Sequence, residues 1–187
     1  SGDMARTPRM PVVRGSVSFY NGGDEFGTAF APTPRIGMVG ISGDCHVPGM
    51  GFAEAGDVII LIGETRAELG GSEYYRVYGC AGGNVPVPPG GPQKIVDSVM
   101  AAIGTGRVTS AHDVSSGGLA VALAEMAQGI GAEIDLTGAG TGTSTGTGTG
   151  TGNMDSGTML FSGSHGRPTL DTPVPERVIA QLQGVTY

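Results

Sequence analysis

Two serines followed by two glycines, Ser115-Ser116-Gly117-Gly118, stand between a β-favouring run and an amphipathic stretch, and this junction limits what the chain can become. Before it, Arg107-Val108-Thr109-Ser110 favours a strand. After it, Leu119, Leu123 and Met126 recur at spacings of four and three, which predicts a helix over 119–128. A Ser-Gly turn at the head of a helix leaves the first N–H groups unpaired beside the positive end of the helix dipole, a setting that stabilises phosphate or carboxylate. Asp113 lies just upstream; it repels a bare phosphate but can hold a Mg²⁺ that bridges to one. A plainer reading uses the same residues, with Ser115 or Ser116 as a simple N-cap and Asp113 as a solvated loop acid.

The segments around this junction alternate in type. Val12 to Tyr20 reads as a strand bent at Gly15, with Ser16 and Ser18 on one face, followed by a turn at Asn21-Gly22-Gly23-Asp24. Arg35 to Ile41 is a second expected strand, and 42–56 a loop. Asp57-Val58-Ile59-Ile60-Leu61-Ile62-Gly63 is a continuous apolar run between turn residues, the pattern of a strand buried on both faces. Gly70-Gly71-Ser72 precedes a short helix. Residues 84–92 are loop, and Pro92 opens a helix to Ile103 that carries Ile95, Val99 and Ile103 along one side. Gly157 to Phe161 reads as a short strand, 162–167 as a polar turn in which Arg167 can clasp a phosphate, and Pro175 to Gln183 as a helix burying Val178, Ile179 and Leu182. Strand and helix in alternation predict an α/β layer, a mixed sheet covered by helices, with parallel pairing allowed.

Composition narrows the function classes. With 36 glycines, no tryptophan and 14% charged residues in 187, the core is thin and much backbone entropy is lost on ordering. A net charge of −7 disfavours nucleic acid and anionic membrane as partners. Cys45 and Cys80 do not form a disulfide framework, and with His46 and His112 they match no zinc spacing. No apolar run is long enough for a bilayer span, no signal-peptide core is present, and the cytoplasm is the expected compartment. Gly138 to Gly152 contains Thr-Gly repeats that cannot pack a core and reads as a linker or insertion.

Five stretches in order carry a family resemblance: 11–21, 32–40, 68–74, 110–127, and Leu160-Phe161-Ser162 with Gly166-Arg167. Together they resemble the C-terminal part of the phosphoribosylformylglycinamidine synthases, within the aminoimidazole ribonucleotide synthetase superfamily. The resemblance implies a partial N-terminal-type segment over 1–53 and a C-terminal-type α/β domain over 54–187, interrupted at 138–153. It implies an ATP-dependent ligase, or part of one, that converts formylglycinamide ribonucleotide to the amidine in purine biosynthesis. ATP and Mg²⁺ are the cofactors it brings; a glutaminase subunit and the remaining synthetase domains are the partners, with self-association a further option. By the same resemblance Gly15 meets ATP, Ser16 holds Mg²⁺ and Ser18 meets the ribonucleotide. Asp113 is the second metal ligand, and Ser115, Ser116, Gly117 and Gly118 meet phosphate. The family usually has asparagine at Ser16 and acids at Ser116 and Gly163, and nothing here matches its catalytic histidine and lysine region, so no catalytic residue is assigned. The alternative is a non-catalytic synthetase-like fragment with at most an auxiliary nucleotide-binding or interaction role.

Overall fold

The computed structural model describes residues 15, 22–23, 27–29, 36–41, 43, 46–136 and 154–187. They belong to two compact units, Ser1–Cys45 and His46–Tyr187. In the first, strands β1 (Gly22–Gly23) and β2 (Thr28–Ala29) pair antiparallel, with Gly22 opposite Ala29. The turn expected at 21–24 therefore lies later, around Gly27, whose φ of +57° needs a glycine. The strand expected over 35–41 is not formed: Ile36 to Ile41 carries no regular structure, and Val39 and Ile41 are fully exposed. An apolar β-branched run becomes a strand only when a neighbour accepts its ladder, and no such neighbour is present among the described residues. The strand expected over 12–20, with Ser16 and Ser18, lies outside the described residues.

The second unit is built on a three-stranded sheet. Strands β3 (Val58–Leu61), β4 (Ser110–Asp113) and β5 (Pro168–Thr172) run in the order β3-β5-β4, and both pairings are antiparallel. Ile60 and Ala111 both face Leu170 across the ladders, and Ile59 and Ser110 both face Asp171. Among the described residues, parallel pairing is confined to one isolated bridge between Gly49 and Ser110.

Helices cover both faces, which explains the unbroken apolar run in β3. Ile60 and Ile62 join Leu170, Ala102, Val108, Val178 and Leu182 in one core, beneath helices α2 (Pro92–Gly104) and α5 (Pro175–Ile179). Ile59 and Leu61 point the other way, toward Leu119, Ala122 and Leu123 of helix α3 (Gly118–Met126) and Val114. Alternate residues thus serve two cores, as a strand buried on both faces requires. Only Val58, at the strand's start, stays 44% exposed.

Two further elements differ from the expectation. Residues 156–161 form helix α4 (Ser156–Phe161), not a strand, because Asp155 caps it: its carboxylate accepts from Thr158 N at 3.0 Å and from Thr158 Oγ1 at 2.6 Å. Those bonds hold the Asp155 carboxyl below its ordinary range. The central strand β5 begins where a polar turn was expected to end. Short helix α1 (Glu73–Val77) forms as expected behind Ser72, whose Oγ accepts from Tyr75 N at 3.2 Å.

Candidate functional site

The head of α3 is shaped by two glycines. Gly117, the N-cap, has φ +94° and Gly118 has φ +71°, and no side chain caps the helix. The plain serine-cap reading is therefore not the one realised: Gly118 N–H bonds the Ser115 carbonyl at 3.1 Å, while both serine side chains face outward. Neither glycine has room for a side chain. A Cβ on Gly117 collides with the Val121 side chain, and one on Gly118 lies 2.6 Å from the Leu160 carbonyl oxygen and 2.8 Å from Phe161 Cα. The turn is held down by α4 on one side and stays open on the other.

Asp113 ends β4 with its side chain 81% exposed. Its neighbour His112 is turned inward, with Nε2 3.2 Å from Glu125 Oε2 on α3 and Nδ1 2.6 Å from the Asp113 carbonyl oxygen. This double tether joins strand to helix and fixes the backbone from which the Asp113 carboxylate projects.

Facing this turn across a cleft of about 940 Å³ is the 70–78 segment. Gly70 is pressed against the chain at 83–84, where a Cβ would stand 2.7 Å from the Asn84 carbonyl oxygen. This close approach, with Gly70 N bonding Asn84 O at 2.7 Å, fixes the start of α1. Tyr74 then stacks on Phe161, with centroids 4.8 Å apart and planes 20° off parallel, and Tyr78 lies against Tyr74. One wall of the cleft is thus a Ser-Gly turn with an acid, the other a set of aromatic rings.

Arg167 lies at the floor, and the structure corrects its expected role. It is 1% exposed, and its guanidinium is taken up by the protein: Nε donates to Ser164 O at 3.0 Å, Nη2 to Ser162 O at 2.6 Å and Nη1 to Thr65 Oγ1 at 2.9 Å. Burial pushes its pKa down to about 10, opposed by the nearby Glu68 carboxylate. Glu68, itself buried, accepts from Ser164 Oγ at 2.6 Å and from Val87 N at 3.3 Å. A guanidinium with three intramolecular acceptors braces the 162–167 loop and has little left for an external phosphate.

The cleft therefore gathers five of the expected site residues: Asp113, Ser115, Ser116, Gly117 and Gly118 all line it. Gly15 belongs to the other unit, with open space where a Cβ would stand. The aromatic wall and the Glu68–Ser164–Arg167 floor were not foreseen; the spacing of Tyr74 and Tyr78 at i and i+4 is the one signal that marked a shared face. Among the described residues no three His, Cys, Asp or Glu side chains gather as a metal cage. One exposed aspartate beside an uncapped helix head instead suits Mg²⁺ that arrives with phosphate, since that ion is commonly held by one or two carboxylates plus phosphate oxygens. The residues fit such a group.

Comparison with known proteins bears on the same segment. Residues 54–183 match the family model described as AIR synthase related protein, C-terminal domain. The chain is 41% identical over its whole length to phosphoribosylformylglycinamidine synthase subunit PurL of Methanosarcina mazei, covering 25% of that protein. It is 50% identical over 120 residues, 63% of its length, to the subunit of the same name from Symbiobacterium thermophilum, covering 15% of it. A crystal structure of phosphoribosylformylglycinamidine synthase II from Thermotoga maritima aligns with 72% of the chain and 20% of its own, at 17% identity and a TM-score of 0.47. The chain spans about a quarter of the length of the Methanosarcina relative. With more than half of its residues inside the family model, the chain belongs to the AIR synthase related family through that family's C-terminal domain.

Proposed function

We propose that this chain supplies a magnesium–nucleotide cleft to an ATP-dependent ligase that converts formylglycinamide ribonucleotide to its amidine. The observation that carries the reading is the convergence of Asp113 and the Ser115–Gly118 turn on one wall of a cleft whose other wall is aromatic. In this reading the exposed Asp113 carboxylate holds the ion, the N–H groups at the head of α3 take phosphate oxygens, and the Tyr74 and Tyr78 rings offer a face for a purine. Bound ATP supplies the phosphoryl group that makes an amide oxygen displaceable by ammonia. The chain's own contribution is to bind and orient: His112 fixes the backbone that carries Asp113, and Arg167 braces the 162–167 loop at the floor of the cleft. Gly15, Ser16 and Ser18, on the 1–53 segment, are proposed to meet ATP, Mg²⁺ and the ribonucleotide, with the remaining synthetase domains and the glutaminase subunit completing the reaction site.

Calorimetric titration with Mg-ADP tests the cleft. Saturable binding by the native chain that weakens at least about tenfold in Asp113→Ala is expected; absence of binding in the native chain removes the nucleotide role. An assay of ATP- and ammonia-dependent amidine formation, with and without the remaining synthetase domains, tests the ligase role. The second reading, a synthetase-like module without catalysis, is favoured by the lack, among the described residues, of any three His, Cys, Asp or Glu side chains gathered to hold a metal ion. Mg-ADP binding without turnover in any combination is its signature.

A further inference from the structure

Phe161, the last residue of α4, lines the cleft and reaches both of its walls. Its main chain presses on the Ser-Gly turn, where a Cβ on Gly118 would stand 2.8 Å from Phe161 Cα and 2.9 Å from its carbonyl carbon. Its ring meets the opposite wall, stacked on Tyr74 at a centroid distance of 4.8 Å with the planes 20° apart.

The bridge is held in one register. Gly157 and Phe161, four positions apart, share a face of α4, and the Tyr74 hydroxyl lies where Gly157 has no side chain; a Cβ there would stand 3.0 Å from Tyr74 Oη. The Asp155 cap fixes the first turn of the helix. Just past Phe161, Ser162 Oγ donates to Arg66 O at 2.6 Å and Gly163 N to Glu68 O at 3.0 Å, which ties the end of α4 to the chain leading into Gly70 and α1. Tyr74 projects from α1, a helix of five residues none of which is buried, so the plane of its ring is set by what it packs against. Tyr78 in turn lies on Tyr74, with centroids 4.8 Å apart.

The two contacts of Phe161 are separable. Main-chain atoms touch the turn, and any residue at 161 supplies them. The side chain touches Tyr74, and a flat aromatic ring is needed there to stack. We propose, resting on the nucleotide reading of this cleft, that Phe161 is a positioning residue that gives the cleft its preference for a nucleotide over an inorganic polyphosphate. Phosphate binding at Asp113 and the head of α3 needs the turn alone. Recognition of an attached base needs an aromatic face held at a fixed distance from that turn, and Phe161 touches both. Its ring thus acts on the base, through Tyr74, and not on the phosphates.

Calorimetric titrations of the 187-residue chain with Mg-ADP and with Mg-pyrophosphate test this. The native chain should bind Mg-ADP about tenfold more tightly, the contribution of one stacked base. Phe161→Leu should lose about five- to tenfold on Mg-ADP with Mg-pyrophosphate unchanged, and Phe161→Tyr, which keeps the flat ring, should bind both ligands as the native chain does. In a Tyr74→Leu background Phe161→Leu should add nothing, because it acts through that ring. Where Phe161→Leu fails to fold, Phe161→Met, an unbranched apolar side chain that adapts to irregular gaps, makes the same comparison. The proposal is overturned if these variants bind Mg-ADP as the native chain does, if they lose both ligands equally, as a merely structural role requires, or if their effect adds to that of Tyr74→Leu. Equal binding of both ligands by the native chain also overturns it and leaves the metal–phosphate part of the cleft standing. A native chain that binds neither ligand overturns this proposal and the nucleotide reading together. Asp113→Ala, expected to weaken both ligands alike, shows that reading intact when Phe161 alone fails.

Discussion

The two loops that meet at the cleft, 113–118 and 162–167, have similar compositions and opposite fates. Both are short, rich in serine and glycine, and carry one charged side chain, Asp113 in the first and Arg167 in the second. In 162–167 the polar groups are spent internally: Ser162 and Ser164 are buried, Ser162 Oγ donates to Arg66 O at 2.6 Å, and the guanidinium is surrounded by protein acceptors. In 113–118 the serines and the carboxylate face outward, and the helix behind them has no side-chain cap. The difference separates scaffold from site: groups already bonded within the protein hold shape, and groups left open at a fixed position are available to a ligand.

Substitutions sharpen that contrast. The largest effect is expected from Arg167→Ala, which leaves Glu68 buried near no cation and two carbonyls without donors; stability should fall by about 3–5 kcal/mol in urea unfolding. A loss below about 1 kcal/mol would mean that Arg167 does not brace its loop. Gly118→Ala comes next, because φ is positive and the new Cβ meets the Leu160 and Phe161 backbone; a loss of about 1–3 kcal/mol by the same measurement is expected. It should appear together with weakened Mg-ADP binding, since α4 is displaced from the turn.

A smaller effect is expected from Asp171→Asn and is read through pH. Burial, and then the Asp57 carboxylate, raise the Asp171 pKa, against hydrogen bonds from Thr109, Ala53 and Ser110 that lower it. An acid whose folded pKa lies above its unfolded value stabilises the fold while protonated. That contribution is present at low pH and is lost as pH rises from the ordinary value near 3.8 toward the raised folded one. Asp171→Asn should therefore gain in urea midpoint relative to the native chain between pH 4 and pH 7, and an unchanged difference across that interval would count against the shift. Smallest in stability is Asp113→Ala, whose melting temperature should stay within about 2 °C of native while nucleotide binding falls. If instead the fold is lost with Asp113, the contrast between the two loops fails at its open end.

Much of this arrangement could be read from residue order, and the failures have definite causes. The 58–61 strand, the Pro92 helix and the Ser-Gly turn before Leu119 each announce themselves through a period, a proline at the first turn or a glycine pair. The central strand does not: Pro168-Thr169-Leu170-Asp171-Thr172 has one large apolar residue, and its buried Asp171 and Thr172 are bonded to partners far along the chain, while Thr169 Oγ1 is buried without a partner among the described residues. Residues 158–161 favour β structure locally, and the cap at Asp155 overrides them. Arg167 looked free to clasp a phosphate because nothing local in the sequence marks Thr65 and Glu68, about a hundred positions away, as its surroundings. The open turn was legible since its chemistry is local, whereas the floor was not since it is assembled from distant segments.

The placement of β5 between β3 and β4 has a consequence for how the molecule is made. Residues 58–61 and 110–113 are synthesised long before 168–172, and neither ladder can begin until that last stretch has left the ribosome. Until then the chain carries two half-built edges and two apolar faces with no floor between them. The connection that must close, including the Thr-Gly repeats, adds only about 0.6 kcal/mol for each doubling of its length, so its extent can vary at little thermodynamic cost. A product terminated anywhere before Pro168 should behave as an unfolded polypeptide, however much of the upstream pattern it retains.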